Sequence, residues 1–142
     1  MFLDEPFQFS DYIKPACLPK ASFKPENEAR CFISGWGNNE YGRSTEELQW
    51  AVIPIVGNGS CTRRLPTGWL KDSMLCAGGA VGDDITGADT CQGDSGGPLI
   101  CMVEGSATLV GVTSWGQGCG RTPGIYADVA KLINWINTET IL

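Results

Sequence analysis

Short runs of apolar, β-branched and aromatic residues alternate with polar segments rich in glycine, proline and aspartate along most of the chain. Runs of this length bounded by turn residues are typical of β-strands, and a series of them predicts an all-β barrel. Pro54 lies inside the second run and indicates an edge position or a bulge there. The six predicted strands cover residues 31–37, 48–56, 74–77, 98–103, 108–115 and 124–129.

The periodicity of the apolar positions changes near the C-terminus, where they recur with the spacing of one helix face. Asp128 precedes these positions and is a residue type that caps helix N-termini. A shorter helix is predicted within residues 61–70, and a loop over residues 78–90. The apolar face of the C-terminal helix consists of Val129, Leu132, Ile133 and Ile136.

The composition favours one secreted domain. A chain of 142 residues fits a single domain, and a formal net charge of -6 with no histidine argues against nucleic acid and anionic membranes as partners. No apolar run approaches the roughly 18 residues of a membrane span. Seven cysteines without the CxxC spacing of metal sites indicate an oxidising setting. The first residues lack signal-peptide character, and a start truncated upstream of Met1 would reconcile these observations.

Two surface segments are candidates for processing. Asn58-Gly59-Ser60 is an N-glycosylation sequon, and its occupancy stays open because so short a pattern often occurs by chance. Arg43 lies in the polar segment of residues 38–45 and is a candidate cleavage site.

The chemistry of the chain centres on residues 89–98, which read Asp-Thr-Cys-Gln-Gly-Asp-Ser-Gly-Gly-Pro. Ser95 is framed by Gly93, Gly96 and Gly97, and glycines allow backbone turns that side chains forbid. Such a turn can expose the Ser95 hydroxyl and direct neighbouring backbone N–H groups at one point. Acyl transfer needs that combination of a nucleophile and donors for the oxyanion.

Gly-Asp-Ser-Gly-Gly-Pro at residues 93–98 resembles the nucleophile loop of trypsin-like (chymotrypsin-fold) serine proteases. Residues 31–37 resemble the strand that opens the second barrel of this family, and residues 15–19 resemble the strap between its two barrels. The resemblance implies that residues 1–30 are the strap with a remnant of the first barrel. It implies that residues 31–142 are the second six-stranded antiparallel barrel with its C-terminal helix, and that the first barrel is largely missing.

The resemblance also assigns roles around the serine. Ser95 is the nucleophile, and the N–H groups of Gly93 and Ser95 form the oxyanion hole. Asp94 is linked to activation, because in this family it pairs with an α-amino group made by cleavage. No such group is expected within this chain, so the carboxylate is predicted to lack its ammonium partner and the loop to be disordered or zymogen-like.

An acidic substrate pocket is implied on the same basis. An acid at Asp89 lies at the pocket base and pairs with Lys or Arg side chains. Glycine at two rim positions leaves the slot open to long side chains, and Pro123 implies that no sodium site is present. Neither a cofactor nor a metal is expected. The implied pocket residues are Asp89, Thr90, Ser114, Trp115, Gly116 and Gly124.

Six cysteines alone allow 15 pairings. The resemblance selects Cys31–Cys101, Cys61–Cys76 and Cys91–Cys119. Cys17 is then left over, and we expect a free or intermolecular thiol there.

The chain departs from the family at the base that activates the serine. It contains no histidine, and Asp4 and Asp11 do not match the orienting aspartate of the family. The expected function is a secreted serine endopeptidase, a hydrolase cleaving protein or peptide substrates after Arg or Lys. It is represented here by a fragment that is inactive without the N-terminal half of the protease domain. The alternative is a non-catalytic binding module derived from a protease.

Overall fold

The computed structural model describes residues 3–79 and 87–140, so the predicted loop over residues 78–90 lies partly outside the described residues. Six strands form one closed antiparallel barrel in the order β1-β2-β3-β6-β5-β4. The all-β prediction of a six-stranded antiparallel barrel with a C-terminal helix is confirmed. The strands are β1 (Arg30–Gly35), β2 (Gln49–Val56), β3 (Met74–Ala77), β4 (Pro98–Val103), β5 (Ser106–Trp115) and β6 (Gly124–Asp128).

The short helix lies earlier than the sequence predicts. Helix α1 spans Asn58–Thr62, whereas a helix was expected within residues 61–70. The Thr62 hydroxyl donates to the Asn58 carbonyl at 2.9 Å within this turn. Pro66 follows soon after, and the residue before a proline disfavours helical backbone. The predicted bounds were wrong, because the helical turn starts at Asn58 and ends just after Cys61 rather than beginning there.

Pro54 is accommodated inside β2 without an edge. It pairs with Arg30 at the end of β1, and pairing of β2 with β3 begins only at the next residue, Ile55. The Pro54 carbonyl accepts a hydrogen bond from the Gly78 N–H at 2.9 Å, just beyond β3. Proline has no backbone N–H to donate, and Pro54 lies just outside the residues that pair between β2 and β3. The barrel therefore closes despite the missing donor.

The barrel core is apolar and is closed by a disulfide between its first and fourth strands. Cys31 and Cys101 are directly paired residues of β1 and β4, with their Cα atoms 4.3 Å apart. The other bridges join α1 to β3 through Cys61–Cys76 and two loops through Cys91–Cys119. These are the pairings that the family resemblance implies, and Cys17 is free and exposed.

The first described residues form an extended segment that lies on the outside of the barrel. The Cys17 N–H donates to the Ala107 carbonyl at 3.0 Å, and the Leu109 N–H donates to the Cys17 carbonyl at 2.9 Å. This attaches the segment to β5. Among residues 3–79 and 87–140, no helix has the length and apolar character needed to cross a membrane.

Helix α2 (Val129–Thr140) packs against β5 at the end of the chain. Val129 and Ile133 are buried, whereas Leu132 and Ile136 are half-buried, so the predicted apolar face lies towards the barrel. The Asp128 carboxylate accepts hydrogen bonds from the N–H groups of Ala130 at 3.0 Å and Lys131 at 3.4 Å. Asp128 therefore caps the helix.

We expect Asp128→Ala to lower the free energy of unfolding by about 1 kcal/mol, because it removes the acceptor for two N–H groups of the first turn. This corresponds to a fall in Tm of about 4 °C. Asp128→Asn is the matched control, since asparagine also caps helices, and it should keep most of the stability. Thermal unfolding measured by circular dichroism tests this. Equal melting of the alanine and asparagine variants would contradict the capping role.

Candidate active site

Ser95 lies at the exposed apex of a tight turn just before β4. The Asp94 N–H donates to the Cys91 carbonyl at 3.0 Å, and the Gly97 N–H donates to the Asp94 carbonyl at 2.8 Å. Gly93 has φ +99° and Gly96 has φ +83°, which are left-handed conformations that favour glycine. The two glycines thus create the turn that projects the serine.

Strand β5 holds this turn in place. The Gly96 N–H donates to the Thr113 carbonyl, and the Thr113 N–H donates to the Gly97 carbonyl, both at 2.9 Å. A Cβ on Gly97 would lie 2.8 Å from the Asp94 carbonyl oxygen, so only glycine fits there. Backbone hydrogen bonds of Gly96 and Gly97, the two residues after Ser95, therefore hold the serine against β5.

Backbone N–H groups hold the Asp94 carboxylate in place of the ammonium partner that the family resemblance implies. Its Oδ1 accepts a hydrogen bond from the Gly37 N–H at 2.8 Å, and its Oδ2 accepts one from the Cys91 N–H at 2.9 Å. Hydrogen bonds to an ionised acceptor are stronger than those between neutral groups. The backbone thus supplies the stabilisation that was expected only from an ammonium, and the described loop is folded.

Two glycines make room for this carboxylate. A Cβ on Gly35 would overlap the Asp94 carboxylate, and a Cβ on Gly37 would lie 2.5 Å from its Cγ. The Gly-Trp-Gly segment, which begins with the last residue of β1, therefore leaves room for the Asp94 carboxylate. The glycine on each side of Trp36 is visible in the sequence as a position where space is needed. The sequence does not show that Asp94 fills this space, because Asp94 lies 57 residues after Gly37.

Asp89 lies in a partly buried position among backbone donors. Its Oδ1 accepts a hydrogen bond from the Thr90 N–H at 2.8 Å, and its Oδ2 accepts one from the Gly120 N–H at 3.0 Å. Burial raises the pKa of the Asp89 carboxyl to about 6, and these two hydrogen bonds oppose the rise. The carboxylate is ionised at neutral pH at a cost in desolvation.

Of the two predicted rim glycines, Gly124 lies beside Asp89, and Gly116 lies beside Gly124. A Cβ on Gly124 would lie 2.5 Å from Asp89 Oδ1, and a Cβ on Gly116 would lie 3.9 Å from the Gly124 Cα. Ser114 is exposed at an irregularity in the pairing of β5 with β6. Trp115 packs edge-on against Trp69 with ring centroids 5.8 Å apart.

A buried tyrosine completes the surroundings of the acid. Tyr126 is fully buried, and its hydroxyl lies 3.2 Å from Thr90 Oγ1, within hydrogen-bond distance. Burial raises the pKa of the Tyr126 hydroxyl well above its ordinary value. The hydrogen bond from the Gly120 N–H to Asp89 could not be predicted from the sequence, because every residue except proline has a backbone N–H.

A cavity of about 410 Å³ lies on the Asp94 side of the site. Three carboxylates line it, those of Glu40, Asp89 and Asp94, together with apolar residues including Ile33 and Trp50. In the described part of the chain, several predicted site residues are not part of its lining: Ser95, Ser114, Trp115, Gly116 and Gly124. The cavity therefore shares Asp89 and Thr90 with the predicted pocket, but it is not lined by the two rim glycines.

The remaining predicted positions are a disulfide bridge beside the serine loop and a glycosylation sequon on α1. The Cys91–Cys119 bridge, with Cα atoms 5.4 Å apart, joins the serine loop to the segment that carries Gly120. Asn58 is exposed at the start of α1, where a glycan could extend into solvent. Within residues 3–79 and 87–140, no group of three or more His, Cys, Asp or Glu side chains is arranged to hold a metal ion.

The chain matches a model of a known protein family. Residues 1–136 match the model of the trypsin family. The match includes all six strands, the serine loop and most of α2.

We expect Gly37→Ala to destabilise the chain, since its Cβ would lie 2.5 Å from Asp94 Cγ. A loss of about 1–3 kcal/mol is typical when a side chain is forced into a filled position. Adding Asp94→Ala should relieve the overlap, so the double variant should lose less than the sum of the two single losses. Urea unfolding of the four proteins measures this. Additive losses would show that Gly37 and Asp94 are not in contact.

Binding of benzamidine should weaken as the pH falls through about 6, the raised pKa of Asp89. Protonation removes the counter-charge for the amidinium, so affinity should fall about tenfold per pH unit below that value. Calorimetric titration from about pH 8 to about pH 4.5 tests this, with Asp89→Asn as a weak, pH-independent control. A constant Kd over this range would exclude Asp89 as the ligand's counter-ion.

Proposed function

The chain belongs to the trypsin family, and from that premise we propose that it is the part of a serine endopeptidase that carries the nucleophile and the specificity pocket. Ser95 is the nucleophile, and the N–H groups of Gly93 and Ser95 bind the oxyanion of the tetrahedral intermediate. The exposed apex position of Ser95 between two left-handed glycines supports this role. Donors on a turn that β5 holds through Gly96 and Gly97 would need little reorganisation during the reaction.

Specificity for Arg or Lys rests mainly on one observation, the half-buried Asp89 carboxylate beside the unsubstituted Cα atom of Gly124, next to which Gly116 lies. A long cationic side chain can pass two glycines and pair with the acid at the far end. Its charge would offset the desolvation that raises the pKa of Asp89. Thr90, Ser114 and Trp115 complete this pocket.

Asp94 has the activation-linked role. The acidic cavity beside it is large enough for a chain terminus, and its carboxylates would stabilise an ammonium group there. In the absence of that group, the Gly37 and Cys91 N–H groups hold the carboxylate. Binding of the ammonium would add a cation to an aspartate that the backbone has already positioned.

The partner of this chain is the other half of a protease domain, with residues 1–30 as the connecting strap and residues 31–142 as the second barrel. The outer face of the barrel supports this assignment. Phe32 is 41 % and Trp50 69 % exposed, with ring centroids 6.2 Å apart, and Met102 is 55 % exposed. Exposed apolar patches of this kind mark surfaces that another unit covers. Protein or peptide substrates with Arg or Lys would bind between the two halves.

An extracellular location fits the three disulfides, since such bridges persist in oxidising compartments. Asn58, exposed and within a sequon, is the candidate glycosylation site.

A non-catalytic binding module is the second candidate, and the absence of histidine from all 142 residues favours it. Without a base, the serine loses about 10⁶ in turnover in a related triad system. Both candidates share the basic-ligand pocket, and they differ in whether Ser95 works when a base is supplied by another polypeptide.

We expect the chain to be retained on immobilised benzamidine and Asp89→Ser to be lost from the column, since the acid supplies the counter-charge. Asp72→Ser, which removes an exposed carboxylate elsewhere, is the matched control and should be retained. Hydrolysis of an arginine p-nitroanilide by the chain alone should not exceed that by Ser95→Ala.

Equal retention of Asp89→Ser and the wild-type chain would overturn the pocket assignment. Turnover that Ser95→Ala abolishes would contradict the inactivity of the isolated chain and would require another group to act as the base.

A further inference from the structure

Arg43, the candidate cleavage site, lies in a turn that the side chain and the backbone of Asn39 hold closed. Asn39 Oδ1 accepts hydrogen bonds from the Tyr41 N–H at 3.0 Å and from the Arg43 N–H at 3.2 Å. The Asn39 N–H donates to the Arg43 carbonyl, and the Gly42 N–H donates to the Asn39 carbonyl, both at 2.9 Å. An asparagine amide that bonds the backbone two residues further on is a recurrent way of fixing a turn.

These bonds engage both backbone groups of Arg43, whereas its side chain is exposed. The carbonyl that Asn39 binds is the one that an arginine-cleaving protease attacks, since the bond to be cut joins Arg43 to Ser44. On the other side of that bond, Ser44 forms an antiparallel bridge with Asn38. A bound peptide in extended form gains much of its affinity from main-chain hydrogen bonds. The closed turn therefore presents the recognised side chain but withholds the backbone.

The base of this turn is attached to the serine loop. The Asn38 N–H donates to the Gln92 carbonyl at 2.8 Å. The residue before it, Gly37, donates to the Asp94 carboxylate. A cut after Arg43 would place both of these supports near a free chain end. An intact turn therefore also preserves the segment that positions the nucleophile.

Exposed loop tips with small and polar residues are preferred sites of proteolytic nicking. We propose that Asn39 protects the Arg43–Ser44 bond, so that cleavage by an arginine-directed endopeptidase is limited by opening of the turn. The cleavage rate then follows the population of open turns rather than the exposure of the arginine side chain. This inference goes beyond the proposed function and does not depend on it, because the protease that cuts is a second protein.

The test is limited digestion of the full 142-residue chain with added trypsin. A cut after Arg43 gives fragments 1–43 and 44–142, which the Cys31–Cys101 bridge holds together until reduction. Mass spectrometry after reduction therefore measures the cut. Asn39→Ala removes the side-chain acceptor, and Asn39→Asp is the matched control that keeps an oxygen there. Each rate is divided by that of a synthetic peptide of residues 36–48 with the same substitution, in which the barrel does not hold the turn.

The bond in the wild-type chain should be cut about 30-fold or more slowly than in its peptide, because most turns are closed at any moment. Asn39→Ala should raise the normalised rate about 5- to 30-fold, the effect expected from the loss of two hydrogen bonds. Asn39→Asp should stay within about 2-fold of the wild type, because aspartate fixes the same kind of turn. Cutting after Arg121 should be equally fast in the three proteins, since the turn opens locally.

Three results would overturn the inference: a wild-type bond cut as fast as its peptide, an alanine variant cut no faster than the wild type, or an aspartate variant cut as fast as the alanine variant. A parallel rise in cutting after Arg43 and after Arg121 in the alanine variant would overturn it as well. That result would show that Asn39 stabilises the whole fold rather than the turn.

Discussion

The hydrogen bonds of the Asp94 carboxylate are the interaction on which the arrangement of the site depends. They join the segment after β1, through Gly37, to the serine loop, through Cys91. The two segments are far apart in the chain, and neither has regular structure of its own at this point. The turn at Ser95 is thereby fixed on one side by a carboxylate and on the other by the backbone of β5. Removing either support would leave the nucleophile on a loop without defined geometry.

The barrel supplies the rigidity that this arrangement needs. Closing the sheet between β1 and β4 leaves no free edge and brings the end of β1 beside the loop that precedes β4. The Cys31–Cys101 bridge joins β1 to β4, where the barrel closes. Its cysteines are 70 residues apart, so of the three disulfides it closes the longest loop and most reduces the entropy of the unfolded chain. The loop carrying Ser95 enters β4 directly, so its position follows from the closure.

The burial of Asp89 at the end of the slot costs folding free energy and favours the binding of a cation. Burial disfavours the ionised carboxylate of Asp89, and Tyr126 beside it is fully buried with its hydroxyl protonated. Thr113 adds a buried hydroxyl without a partner in the described residues. Unfavourable groups concentrated at one place, while the rest of the buried core is apolar apart from Thr108, are a feature of binding sites rather than of structural cores. A cationic ligand would relieve the largest of these costs.

The sequence by itself determined the strands, the terminal helix with its cap at Asp128, and the serine loop, because each depends on periodicity or on residues adjacent in the chain. The family resemblance added the disulfide pairings, which residue spacing left open. The tertiary structure decided what holds Asp94, because its partners are backbone N–H groups, one of them 57 residues away. It also decided the environment of Asp89, whose donor at Gly120 is invisible as a residue type, and the burial of Thr113 without a partner. Burial and long-range backbone geometry arise only when the barrel closes, so no local pattern in the chain encodes them.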